Sequence, residues 1–377
     1  MTAAVKVKGS QRTGVDWFLL VLRILLIAGI TIGFVAFIAQ QINPENPFAK
    51  WTHDGEAANA LTGAALKGLF VSGLSTGAMY GLIALGYSMV YGVLGFINFA
   101  HGEVFMVGSF TAWITANQLD QRDMWSSSSG AFLFWLIVSV LLATIVSAAT
   151  AVMMERVAYR KLRGAPRLIP LITSIGVSFF LQNASILLFG PGAKSYPKNP
   201  EWMRERRTFL EIETSKILVI IVAAIAMAGL WYFVERTKTG KAMRAVAEDK
   251  EIASLMGIDV NKTIVTTFAV GGAMAGVAGV LWGLLFPRVI ATMGFLPGIK
   301  AFTAAVVGGV GNLGGAMAGG ISLGSAEALA PLVLLAPLGI DGASQLKDAV
   351  SFVLLILVLM IKPTGLFGER LSSEDRA

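Results

Sequence analysis

The sequence predicts an all-α polytopic integral membrane protein. Of its 377 residues, 55% are hydrophobic and only 14% are charged, whereas an ordinary soluble domain has about 25% charged residues. The mean hydropathy is +0.71, and about ten stretches (eight to ten) approach the ~20 apolar residues that cross a bilayer. A soluble enzyme, a nucleic-acid-binding protein and a disordered chain all need more surface charge, so these classes are excluded.

Charge and rare residues narrow the chemistry further. The formal net charge is +7, an excess that a membrane protein carries in its cytoplasmic loops. Because the chain has no Cys, it has no disulfides, no thiolate nucleophile and no sulfur-ligated metal. Its two histidines, His53 and His101, lie far apart in sequence, so we predict no metal site and no catalytic residue.

The first predicted span is 17–39, which Lys6, Lys8 and Arg12 precede and in which Arg23 is the single charge. A cleaved signal peptide is the alternative. The stretch is longer than the usual apolar region of about 7–15 residues, and no clear small-residue cleavage site follows it. The pattern therefore favours a retained helix.

The next apolar stretch, 68–100, has no charged residue. As one straight helix it would be about 50 Å long, more than a bilayer requires. We therefore predict a helix over 64–90, an irregular piece over 91–102 and a returning helix over 103–119. The remaining predicted spans are 131–154, 168–189, 217–233, 263–286, 301–318, 319–338 and 346–361.

Ten spans place both termini on the same side of the membrane. With both termini inside, the inside segments hold 17 Lys and Arg residues and the outside loops hold ten. This bias predicts that the N- and C-termini are cytoplasmic. The outside loop 191–216 carries six of those ten residues and argues in the opposite direction.

Many of the 42 glycines recur at every fourth position of the spans, as in Gly73, Gly77 and Gly81. Such spacing makes a smooth helix face for close packing; the alternative is a helix break that lines a substrate path. The stretch 308–315, GGVGNLGG, is the best candidate for a break. Its formal G-x-G-x-x-G match lacks the strand and soluble unit of a nucleotide site, and the chain has no Walker A motif. The candidate path residues here are Gly309, Gly311 and Asn312.

A second group of candidate path residues, Asn98, His101 and Glu103, lies between two predicted helices. An acid within the membrane is costly and is a functional candidate. The alternative is that Glu103 begins the returning helix at the inner interface, where the helix dipole favours an acid by about 0.3–1 kcal/mol. The predicted topology favours the interfacial alternative.

The largest predicted inside loop, 235–262, contains an amphipathic pattern. The pattern predicts one helix over 241–256. Gly257 should end this helix by adopting a positive φ. A short amphipathic helix between two spans suits docking into a groove of another protein. A solvated connector is the alternative.

Within this loop, residues 251–257, EIASLMG, look like the E-x-A-x-x-x-G segment that permeases of bacterial ABC importers present to their ATPases. The longer string RAVAEDKEIASLMGIDVNK resembles the branched-chain amino acid permeases of the LivH type. Three further stretches share the resemblance, which covers 64–368: residues 77–95 with 98–103, residues 300–320 and residues 362–368.

The resemblance implies a permease domain over 64–368, preceded by an extension over 1–63 with one extra span and an extracytoplasmic loop, and followed by a cytoplasmic tail over 369–377. It implies a multi-pass protein of the bacterial inner membrane that carries branched-chain or related amino acids. Its partners would be a second, homologous permease, two ATPases that use the ATP, and an extracytoplasmic binding protein. This chain itself would bind no cofactor or nucleic acid. The implied coupling residues are Arg244, Glu248, Asp249, Glu251, Ala253 and Gly257, with Ala253 small enough to let a partner surface approach.

Relatives of this family also carry urea or, more distantly, ribose, so the substrate stays open. An ion-coupled secondary transporter or channel, with Glu103 and His101 as a relay, is an alternative. An intramembrane enzyme lacks support because the sequence has neither an H-E-x-x-H nor a G-x-S-x-G motif.

Overall fold

The computed structural model describes residues 14–42, 63–166, 168–204, 206–207, 212–335 and 343–368. Within these ranges seven helices are long and apolar enough to cross a membrane, and two shorter apolar helices lie over Leu20–Val35 and Phe295–Gly308. The polytopic helical architecture is therefore confirmed, whereas the count of ten spans stays a prediction. The predicted loop of the N-terminal extension and the tail over 369–377 lie outside the described residues.

The helices are α1 (Gly14–Ile42), α2 (Gly63–Leu94), α3 (His101–Asp120), α4 (Ser129–Met154), α5 (Leu168–Phe189), α6 (Glu201–Arg204), α7 (Thr214–Arg236), α8 (Lys238–Glu248), α9 (Lys250–Leu255), α10 (Val260–Leu285), α11 (Phe295–Gly308), α12 (Leu313–Ala330) and α13 (Lys347–Ile361). A π-helical turn and a 3-10 turn extend α4 to Leu162, a π-helical turn extends α12 to Leu335, and a 3-10 turn precedes α13.

Four two-residue strands complete the described fold. Strand β1 (Lys194–Ser195) pairs antiparallel with β4 (Arg288–Val289), and β2 (Arg206–Arg207) pairs antiparallel with β3 (Ile212–Glu213). All four strands lie in connections at the end of the bundle where α5 and α10 end and α7 begins. We call this the strand end; the opposite end, where α7 ends and α10 begins, carries α8 and α9 and is called the α8–α9 end.

The core forms where α2 packs against α12 across facing glycines. A Cβ atom at Gly77 would lie 2.8 Å from the carbonyl oxygen of Gly320, and one at Gly73 would lie 2.9 Å from that of Gly324. Gly272 and Gly276 of α10 are pressed in the same way against the backbone of α4. The predicted smooth helix faces are thus confirmed, because these backbones approach too closely for any side chain.

This packing predicts a strong difference between two glycines of α2. Gly77→Val should destabilise the fold by about 1–3 kcal/mol or more, because the added side chain meets backbone atoms that cannot move aside. Gly68→Val is the matched control, since a Cβ at Gly68 has no neighbour within 4 Å. Size-exclusion profiles of heated, detergent-solubilised protein would measure the difference. Equal profiles for the two variants would contradict the packing.

The break between α11 and α12 corrects one predicted boundary. The division at 318 is wrong: α11 ends at Gly308 and α12 begins at Leu313, so the break falls within the glycine-rich stretch that indicated one. Gly309 and Gly311 have φ angles of 109° and 91°, which residues with a Cβ rarely adopt. Gly319 does not begin a span: it lies inside α12 and packs against the carbonyl of Ala304.

The predicted single helix over 241–256 is also wrong. Two helices, α8 and α9, meet at Asp249, whose backbone is extended (φ −150°, ψ 117°). The Asp249 carboxylate accepts hydrogen bonds from the backbone N–H groups of Glu251 at 2.8 Å and Ile252 at 2.9 Å. This N-cap of α9 stops α8, because a short acidic side chain competes with the helical backbone hydrogen bonds.

Candidate functional site

The first candidate site is the segment α8–α9. One face of α8 packs against the rest of the chain. Gly240, Met243 and Val246 of α8 are buried, and the Thr237 hydroxyl accepts a hydrogen bond from the Gly240 N–H at 3.0 Å. Gly257 follows α9 with φ 81°, so the predicted positive φ at the helix stop is confirmed.

The outer face of α9 presents three apolar side chains. Ile252, Leu255 and Met256 are 61%, 87% and 78% exposed. In the single helix predicted over 241–256, Leu255 and Met256 would belong to the same apolar pattern as the buried Met243. The break at Asp249 separates the two sets and turns the second outward. The acidic capping residue inside the predicted helix was the signal that could have revealed this face.

The implied coupling residues divide into internal and exposed groups. Arg244 pairs with Glu235 of α7, Asp249 caps α9, and Ala253 is 3% exposed. Ala253 therefore packs within its own chain, which corrects the expectation that a partner surface approaches it. Glu248 and Glu251 are exposed.

Polar contacts join the end of α4 to α10 and to Asn98. Arg163 donates hydrogen bonds to Asn261, at the start of α10, and to the buried Glu155. Four residues beyond Glu155, the Tyr159 hydroxyl donates to Asn98 Oδ1 at 2.7 Å. Partial burial lowers the pKa of Lys250 on α9, and the positive charge of Arg163 lowers it further.

The second candidate site surrounds the start of α3. Asn98, His101 and Glu103 are all buried. The His101 ring packs on Gly86 and contacts Tyr87 edge-to-face, with 4.9 Å between ring centroids. Glu103 Oε1 accepts hydrogen bonds from Ser178 Oγ at 3.0 Å and Gln182 Nε2 at 2.7 Å.

The depth of Glu103 differs from the expectation. Glu103 does lie in the first turn of α3, but its partner Ser178 is ten residues, or about 15 Å, beyond the start of α5. The carboxylate therefore sits near the middle of a 22-residue helix and is 0% exposed, so its expected position at the inner interface is wrong. The irregular residues 95–100 before α3 lie inside the protein, where Phe96, Asn98 and Ala100 are buried.

Gly309, Gly311 and Asn312 lie apart from this group, in the turn between α11 and α12. The Gly311 N–H donates to Ser88 Oγ at 2.9 Å. Asn312 caps α12 by accepting from the Gly315 N–H at 2.9 Å, and its amide donates to the carbonyl of Phe367 at 3.0 Å. The structure thus ties this turn to α2 and to the chain segment after α13.

Sequence reasoning missed a buried charged cluster. Lys300 Nζ of α11 lies 2.9 Å from Glu327 Oε1 of α12 and 2.6 Å from Asp348 Oδ1 of α13. Tyr80 of α2 donates to Glu327 Oε2 at 3.1 Å, and Ser351 donates to Glu327 Oε1. The sequence signal that could have revealed this cluster is the presence of two charged residues, Lys300 and Glu327, inside or beside predicted spans. Their pairing depends on four helices meeting.

At the strand end, a cavity of about 420 Å³ opens between α4 and the segment that contains α6. Charged residues of both signs line it, together with serines and an aromatic ring: Lys198, Arg204, Glu201, Ser126, Ser129 and Trp202. Part of the basic loop 191–216 therefore forms a concave surface.

Comparison with known proteins gives the family of the chain. Residues 69–359 match the family model described as branched-chain amino acid transport system / permease component. The chain is 44% identical over 303 residues to the high-affinity branched-chain amino acid transport system permease protein BraD of Pseudomonas aeruginosa, covering 79% of this chain and 94% of that one. It is 43% identical over 304 residues to the corresponding protein LivH of Escherichia coli, with the same coverage.

A more distant relative is the probable permease LivH of Methanocaldococcus jannaschii, at 30% identity over 76% of this chain and 88% of that one. The solved structure of PsaBC from Streptococcus pneumoniae in complex with Fab is 14% identical, covers 84% of this chain and 96% of that one, and has a TM-score of 0.39, too low to bear on the fold. The apolar helices and the permease relatives together establish a multi-pass inner-membrane protein. The resemblance to LivH-type permeases is confirmed: the chain belongs to the branched-chain amino acid permease family.

Proposed function

We propose that this chain is the membrane-spanning permease subunit of an ABC importer that moves branched-chain or related amino acids into the cell. The observation that carries the proposal is the 44% identity to BraD over nearly the whole length of that relative. The exposed apolar face of α9 adds support, because an exposed apolar surface outside the lipid typically marks a site where another protein binds.

In this proposal the α9 face docks on partner ATPases, which consume the ATP, and this chain binds no cofactor. A second, homologous permease completes the pathway. An extracytoplasmic binding protein delivers the substrate to the strand end, and the cavity near Lys198 and Arg204 supports docking there. Movement of α9 reaches the buried site through the contacts of Arg163 and Tyr159. The substrate path passes the start of α3 and then, nearer the α8–α9 end, the turn at 309–312.

We further propose ten spans with both termini cytoplasmic, an extension over 1–63, a permease domain over 64–368 and a cytoplasmic tail over 369–377. This topology puts the α8–α9 end inside the cell. Single cysteines test it without background, because the chain has none of its own. Pro200→Cys should react with an impermeant maleimide from outside, whereas Arg160→Cys and Lys250→Cys should not. Labelling of position 160 from outside would invert the topology.

Reconstitution tests the function. The purified complex of this permease, its ATPases and its binding protein, placed in proteoliposomes, should import leucine only when ATP is supplied to the ATPase side. Urea and ribose serve as competing substrates. Leucine uptake by this chain alone, without ATP, would instead support an ion-coupled secondary transporter.

A further inference from the structure

Glu103 is a buried acid with one unsatisfied oxygen. Its Oε1 atom accepts two hydrogen bonds, but both donors, Ser178 and Gln182, are neutral. Its Oε2 atom has no hydrogen-bond partner in the described part of the chain, although the side chain is 0% exposed. A buried carboxylate oxygen without a donor is strongly unfavourable, so either a proton or a cationic ligand must compensate it.

The residue that faces Oε2 is Gly294. A Cβ atom at Gly294 would overlap Oε2, so only glycine permits this approach. Gly294 is also the N-cap residue of α11, and no side chain caps that helix. Pro297 has no N–H, and the N–H groups of Phe295 and Gly298 donate to the carbonyl oxygens of Thr292 and Gly294. The Leu296 N–H has no backbone acceptor in the described residues. The N-terminus of α11 therefore begins beside the free oxygen of Glu103, and a helix N-terminus attracts anions.

Helix α11 has 14 residues and is about 21 Å long, so it covers only part of its proposed span and the residues before it complete the crossing. It therefore begins within the bundle, next to the start of α3. An apolar surface adjoins the same place: the Phe99 ring contacts that of Phe302 on α11, with 5.8 Å between centroids. A negative charge, the N-terminus of α11 and two aromatic rings thus meet where two helices start.

We propose that this junction is a transit site for a zwitterionic amino acid. Glu103 binds the α-ammonium group, the N-terminus of α11 with its Leu296 N–H receives the α-carboxylate, and the apolar side chain rests against Phe99 and Phe302. In the closed arrangement Gly294 covers Oε2, and the site opens when the start of α11 withdraws. The inference rests on the proposed importer function and adds the atoms that recognise the substrate.

Transport by the reconstituted complex gives the first test. Glu103→Gln should lower leucine uptake per molecule at least about tenfold, as expected when a hydrogen bond to a charged group is lost, and should raise the ratio of ATP hydrolysed to leucine imported. Glu103→Asp, which keeps the charge, should retain more uptake. Asn183→Ala is the matched control, because Asn183 is exposed on the same helix, α5. Undiminished uptake by Glu103→Gln would overturn the proposal.

A charge-selective thiol reaction gives the second test and does not depend on uptake. Ser178→Cys introduces a single thiol beside Glu103. During ATP turnover, the ammonium reagent MTSEA should modify it faster than the sulfonate reagent MTSES, and excess leucine should slow the reaction. Adding Glu103→Gln should reduce the preference for MTSEA at least about tenfold; if that variant does not insert, Glu103→Asp should preserve the preference.

The remaining outcomes separate this site from the importer function. An unreactive thiol, an unchanged reagent preference or equal protection by Na⁺ would overturn the amino acid site. Failure of the parent complex to import leucine with ATP would instead overturn the proposed function.

Discussion

Replacing Leu255 and Met256 together by Asp should release the partner ATPases while leaving the permease abundant in the membrane. Both side chains are more than three-quarters exposed, at 87% and 78%, so their loss costs the folded chain little. Burying each on a partner would contribute about 1.5–3 kcal/mol. The double substitution should therefore weaken association by at least about a hundredfold. Co-purification of the ATPases from detergent extracts would measure the loss, and ATP-dependent uptake should fall with it.

Glu251→Ala is the matched control on the same helix. Glu251 is exposed, and a charge at the rim of an interface contributes less than about 1 kcal/mol. This variant should keep most of its ATPase and its uptake. If the Leu255 and Met256 variant co-purified with as much ATPase as the parent, α9 would be a solvated connector. Ala253→Trp is a poorer test, because Ala253 is 3% exposed and a larger side chain would disturb the permease itself.

Replacing Lys300 by Met should cause the largest loss of stability. The change removes the cation that lies 2.9 Å from Glu327 Oε1 and leaves that carboxylate buried. Breaking a buried ion pair in this way typically costs about 3–5 kcal/mol. The thermal midpoint in detergent should fall markedly, and less folded protein should accumulate.

Two comparisons make this prediction specific. Adding Glu327→Gln to Lys300→Met should restore much of the stability, because a neutral amide removes the uncompensated charge and can still bond with Tyr80 and Ser351. Lys216→Met is the control: its pair with Glu213 is longer, at 3.8 Å, and partly exposed, so less than about 1 kcal/mol is at stake. A similar loss in both lysine variants, or no rescue by the second substitution, would contradict the role of the cluster.

The sequence by itself determined the features that depend on neighbours along the chain. Long apolar runs identified spans such as 168–189, because crossing lipid requires a continuous apolar helix. Four-residue glycine spacing identified the face of α2 around Gly77, since residues four apart share one side of a helix. Local backbone chemistry indicated the positive φ of Gly257 and the break within 308–315.

Only the tertiary structure decided the features that depend on other helices. The Asp249 cap ends α8 locally, but only packing against other helices decides that Met243 and Val246 are buried while Leu255 lies outside. Glu103 reaches the middle of the bundle because the irregular chain before it lies inside the protein, and Lys300 meets Glu327 only where α11, α12 and α13 converge. A polar residue in a span gives the same sequence signal at the interface and at mid-depth. The two positions differ in the partner that compensates the burial of the polar residue, and that partner can lie anywhere along the chain.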